Sequence, residues 1–216
     1  MADTSAQRTM MVDTQIRPSD VTKFPIIDAM LKVKREDFVP AIARETAYMD
    51  GPVPLAAGRS ILEPRTFAKM LDALNIQSDE LVLDVGAGLG YSSAVIARMA
   101  IAVVALEDES LAAEAEGQLA QADVDNVAVV SGALNEGAAK HGPYDVVIIQ
   151  GAIAEMPAAI LDQVKDGGRV AAIFADGALG TCRIGWKRGN SVTWRDVFNA
   201  TAEILPGFER VTEFQL

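Results

Sequence analysis

A turn with three glycines is the part of this 216-residue chain best suited to binding a ligand. It follows Leu81–Val85, whose sequence LVLDV is typical of a short buried strand, and it contains Gly86, Gly88 and Gly90. Glycine adopts positive φ and lets a ligand approach the backbone without a Cβ in the way. A helix that begins after the turn offers free N–H groups. We therefore expect a ligand here, outside the carboxyl end of the strand.

The spacing of the glycines and two nearby carboxylates limit the classes of ligand that could bind at this turn. A P-loop needs a lysine after its last glycine, and none is present; a dinucleotide site has G-x-G-x-x-G, whereas here the third glycine comes one residue early. Asp84 would repel a pyrophosphate and suits a cationic, amino-bearing ligand. Glu107 follows a second apolar strand, where a carboxylate accepts hydrogen bonds from both ribose hydroxyls. The combination favours S-adenosylmethionine (SAM) over NAD; the alternative is a tight strand–helix turn with a solvated Glu107.

The elements that position these residues alternate between strand and helix. Short apolar strands are predicted at 81–85, 102–106, 127–130, 144–149 and 169–174, and helices at 91–100, 110–122 and 157–164. This alternation predicts an α/β, Rossmann-like fold: a mainly parallel twisted sheet with helices on both faces. Thr181–Lys187 and Glu209–Phe214 are predicted to form a terminal antiparallel pair.

The first third of the chain has a different pattern. Apolar spacing predicts a helix from Lys23 towards Val39, Gly and Pro residues predict a loop over Asp50–Arg59, and Pro64 is suited to the first turn of another helix. We expect a helical N-terminal extension over residues 1–78 and a ligand-binding core over residues 79–216, within one compact domain.

Composition limits the possible partners and compartment. Lys and Arg number 19 against 30 Asp and Glu, giving a net charge of −11, which disfavours a nucleic-acid partner. No apolar run reaches about 18 residues, so no membrane span is expected. One cysteine and one histidine provide neither a disulfide nor a His/Cys zinc site, and no metal is predicted. The polar start of the chain does not look like a signal peptide, so a cytoplasmic location is expected.

The segment from Asp84 to Val95, DVGAGLGYSSAV, resembles motif I of the protein-L-isoaspartate O-methyltransferases, [ED]-[IV]-G-[TC]-G-[ST]-G-Y. The resemblance continues in order along the chain, from about Met11 to Ala175. Its further pieces are REDFVP at 35–40, AYMD at 47–50 with PL at 54–55, YDVVI at 144–148, EMP at 155–157 and GGR at 167–169.

This resemblance implies a class I methyltransferase that transfers a methyl group from SAM to the α-carboxylate of an isoaspartyl residue in a damaged protein, leaving S-adenosylhomocysteine. It also implies that the extension carries a substrate loop. The cofactor-binding positions it indicates are Asp84, Gly86, Ala87, Gly88, Gly90, Tyr91, Glu107, Asp108, Gly132, Ala133 and Leu134.

The chain departs from the family in its substrate loop. The family sequence G-Q-T-I-S-x-P corresponds to GRSILEP at 58–64, so Leu62 stands where the family has its active-site serine. Leucine neither donates nor accepts a hydrogen bond. Ser60 lies two positions earlier and is the candidate hydroxyl, and Arg59, in place of the family's glutamine, is a candidate partner for a carboxylate. The alternative for both residues is a surface loop without a catalytic part.

A second departure follows the third strand of the core, where the family's G-D-G is replaced by Gly132-Ala133-Leu134. The aspartate contact to the adenine amine is missing, although the Ala133 N–H remains available. The leading prediction is isoaspartyl carboxyl methylation. The alternatives are a SAM-dependent methyltransferase for another substrate, and a SAM-binding or ligand-free interaction protein that has lost catalysis.

Overall fold

The computed structural model describes residues 4–56, 58–177 and 179–210. Its main sheet has seven strands in the order β5-β4-β3-β6-β7-β8-β9, parallel except for β8 and β9. The strands are β3 (Leu81–Val85), β4 (Ala102–Glu107), β5 (Val127–Ser131), β6 (Tyr144–Ile153), β7 (Val164–Asp176), β8 (Leu179–Arg188) and β9 (Ser191–Asn199). The predicted α/β class with a mainly parallel sheet is confirmed.

Both faces of the sheet are covered, which explains its nearly continuous apolar strands. On β6, Val146 and Ile148 belong to one buried cluster, whereas Val147 and Ile149 belong to the other. Side chains alternate across a strand, so each strand supplies both layers. The helices are α1 (Thr4–Met11), α2 (Phe24–Lys32), α3 (Pro64–Leu74), α4 (Tyr91–Ala97), α5 (Glu109–Gln121) and α6 (Ala158–Asp162).

Strand order reverses beside β3, which pairs with β4 on one side and with β6 on the other. Ligands of open α/β sheets bind outside the carboxyl ends of the strands at such a reversal. The turn after β3 and the residue that ends β4 therefore meet at the edge where the sequence places the ligand.

Helix α2 is shorter than the apolar spacing from Lys23 towards Val39 predicts. α2 ends at Lys32, and a separate 3₁₀ turn spans Arg35–Phe38. The buried Arg35 guanidinium donates to the carbonyls of Ala47 (2.8 Å) and Leu62 (2.9 Å), and these tertiary bonds replace continuation of the helix.

The loop predicted over Asp50–Arg59 is largely a β-hairpin. Strands β1 (Val53–Ala56) and β2 (Arg59–Ile61) pair antiparallel, with Pro54 opposite Ser60, in a sheet of their own. Pro and Gly obscured the hairpin in the sequence because they also occur at strand edges and turns. We refer to β1 and β2 together as the hairpin.

The predicted terminal strand pair was assigned the wrong partner. β8 pairs with β9 on one side and with β7 on the other, so no edge of β8 is left for residues 209–214. Glu209 and Arg210 are not in a strand, and residues 211–216 lie outside the described part of the chain. The preceding segment runs beside β6, since Leu205 N–H donates to the Ala152 carbonyl at 2.9 Å.

Among the helices of the described residues, none has the length and apolar character needed to cross a membrane.

Candidate functional site

The three glycines after β3 form a tight turn that requires positive backbone φ angles. Gly86, Gly88 and Gly90 have φ of +77°, +60° and +98°, a region that side chains rarely adopt. The turn is tied to β4 by a hydrogen bond from Gly86 N–H to the Leu106 carbonyl (2.9 Å). The buried Ala87 completes the turn, and α4 begins after Gly90.

Two leucines cover Gly86 and Gly88 of this turn. A Cβ built on Gly88 would lie 2.6 Å from Leu55 Cδ1 of the hairpin, and one on Gly86 would lie 3.1 Å from Leu205 Cδ1. The backbone that glycine leaves open is therefore packed against side chains of the same chain.

Asp84 is fully buried at the end of β3 and acts within the fold. Its carboxylate accepts hydrogen bonds from the hydroxyls of Ser92 and Ser93 (2.6 Å each) and from Gln150 Nε2 (2.7 Å). Burial raises the pKa of Asp84 to about 6, although these three bonds act in the opposite direction. The carboxylate joins α4 and β6 to β3.

Glu107 ends β4 and is also fully buried. It forms a bidentate ion pair with Arg59, whose Nη1 and Nη2 each lie 2.5 Å from one of its oxygens. It also accepts the backbone N–H groups of Gly88 (2.5 Å) and Asp108 (2.7 Å). The predicted ribose acceptor is thus paired with the residue predicted to bind a substrate carboxylate.

Asp108 is the second carboxylate that contacts Arg59. Arg59 Nη1 lies 2.9 Å from Asp108 Oδ2. Asp108 Oδ1 accepts a hydrogen bond from the Ser110 N–H and so caps the N-terminus of α5. Burial tends to raise the pKa of Asp108, but the Ser110 bonds and the Arg59 charge outweigh it and lower that pKa.

Ser60 and Leu62, the substrate-loop candidates, differ in their surroundings. Ser60 is half-buried on β2 and lines a cavity of about 10 Å³ beside the glycine turn. Leu62 lines the same cavity, but it is buried in the main apolar cluster, and its carbonyl accepts a hydrogen bond from Arg35. Leu62 therefore has a packing role where a hydroxyl was expected.

Tyr91 borders the cavity beside the glycine turn, and its ring packs in the core. Its ring is buried beside Phe38 and Phe67, with centroid distances of 6.2 Å and 6.0 Å, and the Arg35 guanidinium stands 4.8 Å above it. Burial raises the pKa of its hydroxyl. Tyr91 anchors the start of α4 in the core.

The three residues after β5 lie beside the backbone of Glu107. Gly132 N–H donates to the Glu107 carbonyl at 3.0 Å, Ala133 is exposed, and Leu134 is buried in the second apolar cluster. The structure brings this segment to the same edge as Glu107, with Ala133 accessible from solvent.

Side chains of the same chain cover both Glu107 and the glycine turn. Arg59 takes two acceptor positions of Glu107, Leu55 and Leu205 cover the glycine turn, and the cavity beside it holds about 10 Å³. Pockets for small molecules have volumes of about 300 Å³ or more. The residue types suit a nucleoside, but the side chains that cover Glu107 and the glycine turn must move before one can bind there.

Sequence reasoning missed the residues that close the site. Leu205 and Gln150 belong to no motif, and Leu55 belongs only to the family pattern at 54–55. The Arg59–Glu107 pair joins residues 48 positions apart, and the only signal was their opposite charge. In the described residues, no group of three or more His, Cys, Asp or Glu side chains could hold a metal ion.

Comparison with known proteins places the sequence in one family. The family model for protein-L-isoaspartate(D-aspartate) O-methyltransferase matches residues 6–179. A protein-L-isoaspartate O-methyltransferase of Koribacter versatilis is 35% identical over 164 residues, which are 76% of this chain and 74% of that protein. A relative of the same name from Methanoculleus marisnigri is 36% identical over 167 residues, 77% of this chain and 76% of its own.

Solved structures agree at the level of the fold. One protein-L-isoaspartate O-methyltransferase superposes with a TM-score of 0.79 at 20% identity, over 94% of this chain and 66% of its own. Another, from Plasmodium falciparum in complex with S-adenosyl-L-homocysteine, has a TM-score of 0.78 at 18% identity, covering 92% of this chain and 97% of its own. The family match over most of the sequence, together with this fold, shows that the chain belongs to the protein-L-isoaspartate(D-aspartate) O-methyltransferase family.

Proposed function

We propose that this protein is a SAM-dependent methyltransferase that esterifies the carboxylate of isoaspartyl residues in damaged proteins. Its family consists of SAM-dependent methyltransferases. The observation that carries the proposal is the edge formed by the glycine turn after β3 and Glu107 at the end of β4, where the strand order reverses. Ligands of this class of fold bind at that edge.

The chemistry places few demands on acid or base groups. A carboxylate is already ionised at neutral pH, so the protein needs mainly to align it and to exclude water. Ser60 is the proposed hydroxyl on the substrate side, supported by its place on the cavity that also borders Gly86 and Gly88. Arg59 is engaged with Glu107 and Asp108, so a role towards the substrate carboxylate requires it to leave them.

Leu62 supports a second candidate, a methyltransferase that has changed its substrate or lost turnover. Its side chain is 4% exposed and offers no hydrogen bond where the family has a serine. Within this candidate, the fold and the family's cofactor are retained while isoaspartyl peptides are poor substrates.

We place the protein in the cytoplasm, acting on proteins rather than nucleic acids. The net charge of −11 opposes binding to phosphate backbones. The one cysteine, Cys182, is a free and buried thiol, as is usual in a reducing compartment.

The test pairs a binding assay with a transfer assay. Calorimetry should detect S-adenosylhomocysteine binding to the wild type, and Glu107→Ala should weaken it because a ribose acceptor is removed. Labelled SAM should transfer its methyl group slowly to an isoaspartyl peptide and not at all to the matched aspartyl peptide. Binding without transfer would favour the second candidate. Absence of binding at millimolar ligand would refute the cofactor assignment.

A further inference from the structure

The carboxylate predicted to bind ribose has no acceptor position to spare. A carboxylate offers about four lone-pair positions. On Glu107, two are taken by the η nitrogens of Arg59 and two by the backbone N–H groups of Gly88 and Asp108. The two N–H groups belong to the turn and the strand end and are fixed there. The Arg59 bonds are therefore the ones that a pair of ribose hydroxyls must replace.

Arg59 also occupies the space of a ligand. Its Nη2 would lie 3.4 Å from a Cβ on Gly86, so the guanidinium packs directly over the glycine turn. The side chain is 3% exposed and contacts two carboxylates, Glu107 and Asp108. SAM carries a positive sulfonium, so Arg59 and this ligand would present the same sign of charge to one acidic edge. Like charges repel, and the edge favours one cation at a time.

The hairpin that carries Arg59 is not part of the main sheet, so displacing it breaks no strand pairing of that sheet. β1 and β2 hydrogen-bond to each other and form a sheet separate from the seven strands. Leu55 on β1 covers Gly88, and Arg59 on β2 covers Gly86. One displacement of the hairpin would therefore uncover Gly88, withdraw the guanidinium from Gly86 and free Glu107, while Leu205 of the segment beside β6 would still border Gly86.

We propose that Arg59 is a built-in competitor for the cofactor: its guanidinium holds the hairpin closed over the glycine turn, and SAM enters only when Arg59 leaves Glu107. This inference rests on the proposed function, because it concerns regulation of the same site. A protein that is mostly closed binds more weakly by the fraction that is open. Loss of the Arg59 bonds should therefore raise the affinity for the cofactor.

The test compares S-adenosylhomocysteine binding by the wild type, Arg59→Gln and Arg65→Gln. Arg59→Gln removes the charge and installs the residue that the family has there. Arg65→Gln is the matched control, since Arg65 is half exposed and only 4.0 Å from Glu63. We expect Arg59→Gln to lower the dissociation constant by about tenfold or more, and Arg65→Gln to leave it unchanged within about twofold, the range expected for an exposed, weakly paired charge.

Hydrogen exchange provides a readout that needs no ligand. The Gly88 amide, bonded to Glu107 beneath the hairpin, should exchange faster in Arg59→Gln than in the wild type. Leu55→Ala is a second variant in case Arg59→Gln folds poorly, because it keeps the ion pair intact; it should also bind S-adenosylhomocysteine more tightly than the wild type.

The outcomes separate this inference from the proposed function. Equal or weaker binding by Arg59→Gln, with Leu55→Ala unchanged, would overturn the competitor role while leaving the cofactor site in place. Binding by none of the proteins would overturn the cofactor assignment itself, and the competitor role with it. Tighter binding by both hairpin variants, with Arg65→Gln at the wild-type value, would support the proposal.

Discussion

The Arg59–Glu107 ion pair should make a measurable contribution to the stability of the ligand-free protein. The two side chains are 3% and 0% exposed, so removing one partner leaves the other buried without its counter-charge. Such a loss costs about 3–5 kcal/mol. Glu107 keeps two backbone donors when Arg59 is replaced. We therefore expect Arg59→Gln to lower the free energy of unfolding by about 3 kcal/mol, the lower end of that range.

The reverse change is milder because Arg59 has a second partner. After Glu107→Gln, Arg59 still contacts Asp108 at 2.9 Å, and that carboxylate is 37% exposed. We expect a loss of about 2 kcal/mol. The double variant carries two neutral amides that can hydrogen-bond to each other, so its loss should be about 3 kcal/mol rather than the sum of about 5, a coupling of about 2 kcal/mol.

Urea unfolding at pH 7 without ligand, followed by circular dichroism, measures the free energies of unfolding of the wild type, Arg59→Gln, Glu107→Gln and the double variant. Arg65→Gln is again the control and should change the free energy of unfolding by less than about 0.5 kcal/mol, because its ion pair is exposed. A coupling below about 0.5 kcal/mol would refute the reasoning. It would mean that the hairpin is held closed by its apolar contacts alone.

Three further variants probe the site. Asp84 has a pKa of about 6 in the folded protein against an ordinary 3.8, so its contribution to the free energy of unfolding is complete below about pH 4 and falls by about 2–3 kcal/mol as the pH rises through about 6. Asp84→Asn should reduce this dependence of the free energy of unfolding on pH, as measured by urea unfolding at several pH values. An unchanged dependence on pH would exclude Asp84 as its source. Leu62→Ser should increase methyl transfer to an isoaspartyl peptide while lowering stability by about 2–4 kcal/mol, since a buried side chain is removed; stability loss without added turnover would count against a substrate role for position 62. Gly88→Ala should lower the melting temperature through a loss of about 1–2 kcal/mol at its φ of +60°, and an unaltered melting temperature would show that the turn tolerates a Cβ.

The core of the fold was predictable because its signals are local. The apolar run that became β3 spans the predicted Leu81–Val85, and the helix that starts at Pro64 was also expected. Buried strands and the turns after them leave apolar runs and glycines in the sequence, and these can be recognised without knowing which distant residues they contact. The hairpin was missed because Pro54 and Gly58 suggest a loop, whereas its strands depend on cross-strand pairing.

The site was predictable in its residue types but not in its state. The sequence placed Glu107, the glycine turn and Gly132 at one edge, and the structure brings them together. Arg59 was expected to act on a substrate, yet it bonds to Glu107 instead. No periodicity links residues so far apart, and a surplus of acidic residues offers an arginine many possible partners.

The two substitutions in the substrate loop are both accommodated by contacts within the protein. Arg59 and Leu62 replace a glutamine and a serine, and both lie in the segment that covers the glycine turn. Each new side chain is satisfied within the protein, Arg59 by Glu107 and Leu62 by burial in the core.

The free energy of opening the hairpin then has two parts, the Arg59–Glu107 ion pair and the apolar contact of Leu55. A buried ion pair regains much of its energy from water when it is exposed, so separating Arg59 from Glu107 costs less than the short distances between them imply. The contact of Leu55 with Gly88 has no such compensation, and Leu205 lies outside the hairpin. A ligand at about a thousand times its intrinsic dissociation constant supplies about 4 kcal/mol, which exceeds the free energy of about 1.5–3 kcal/mol for exposing one leucine side chain. Cofactor concentration is therefore expected to decide whether the hairpin is open, and Leu55→Ala should lower the concentration at which it opens.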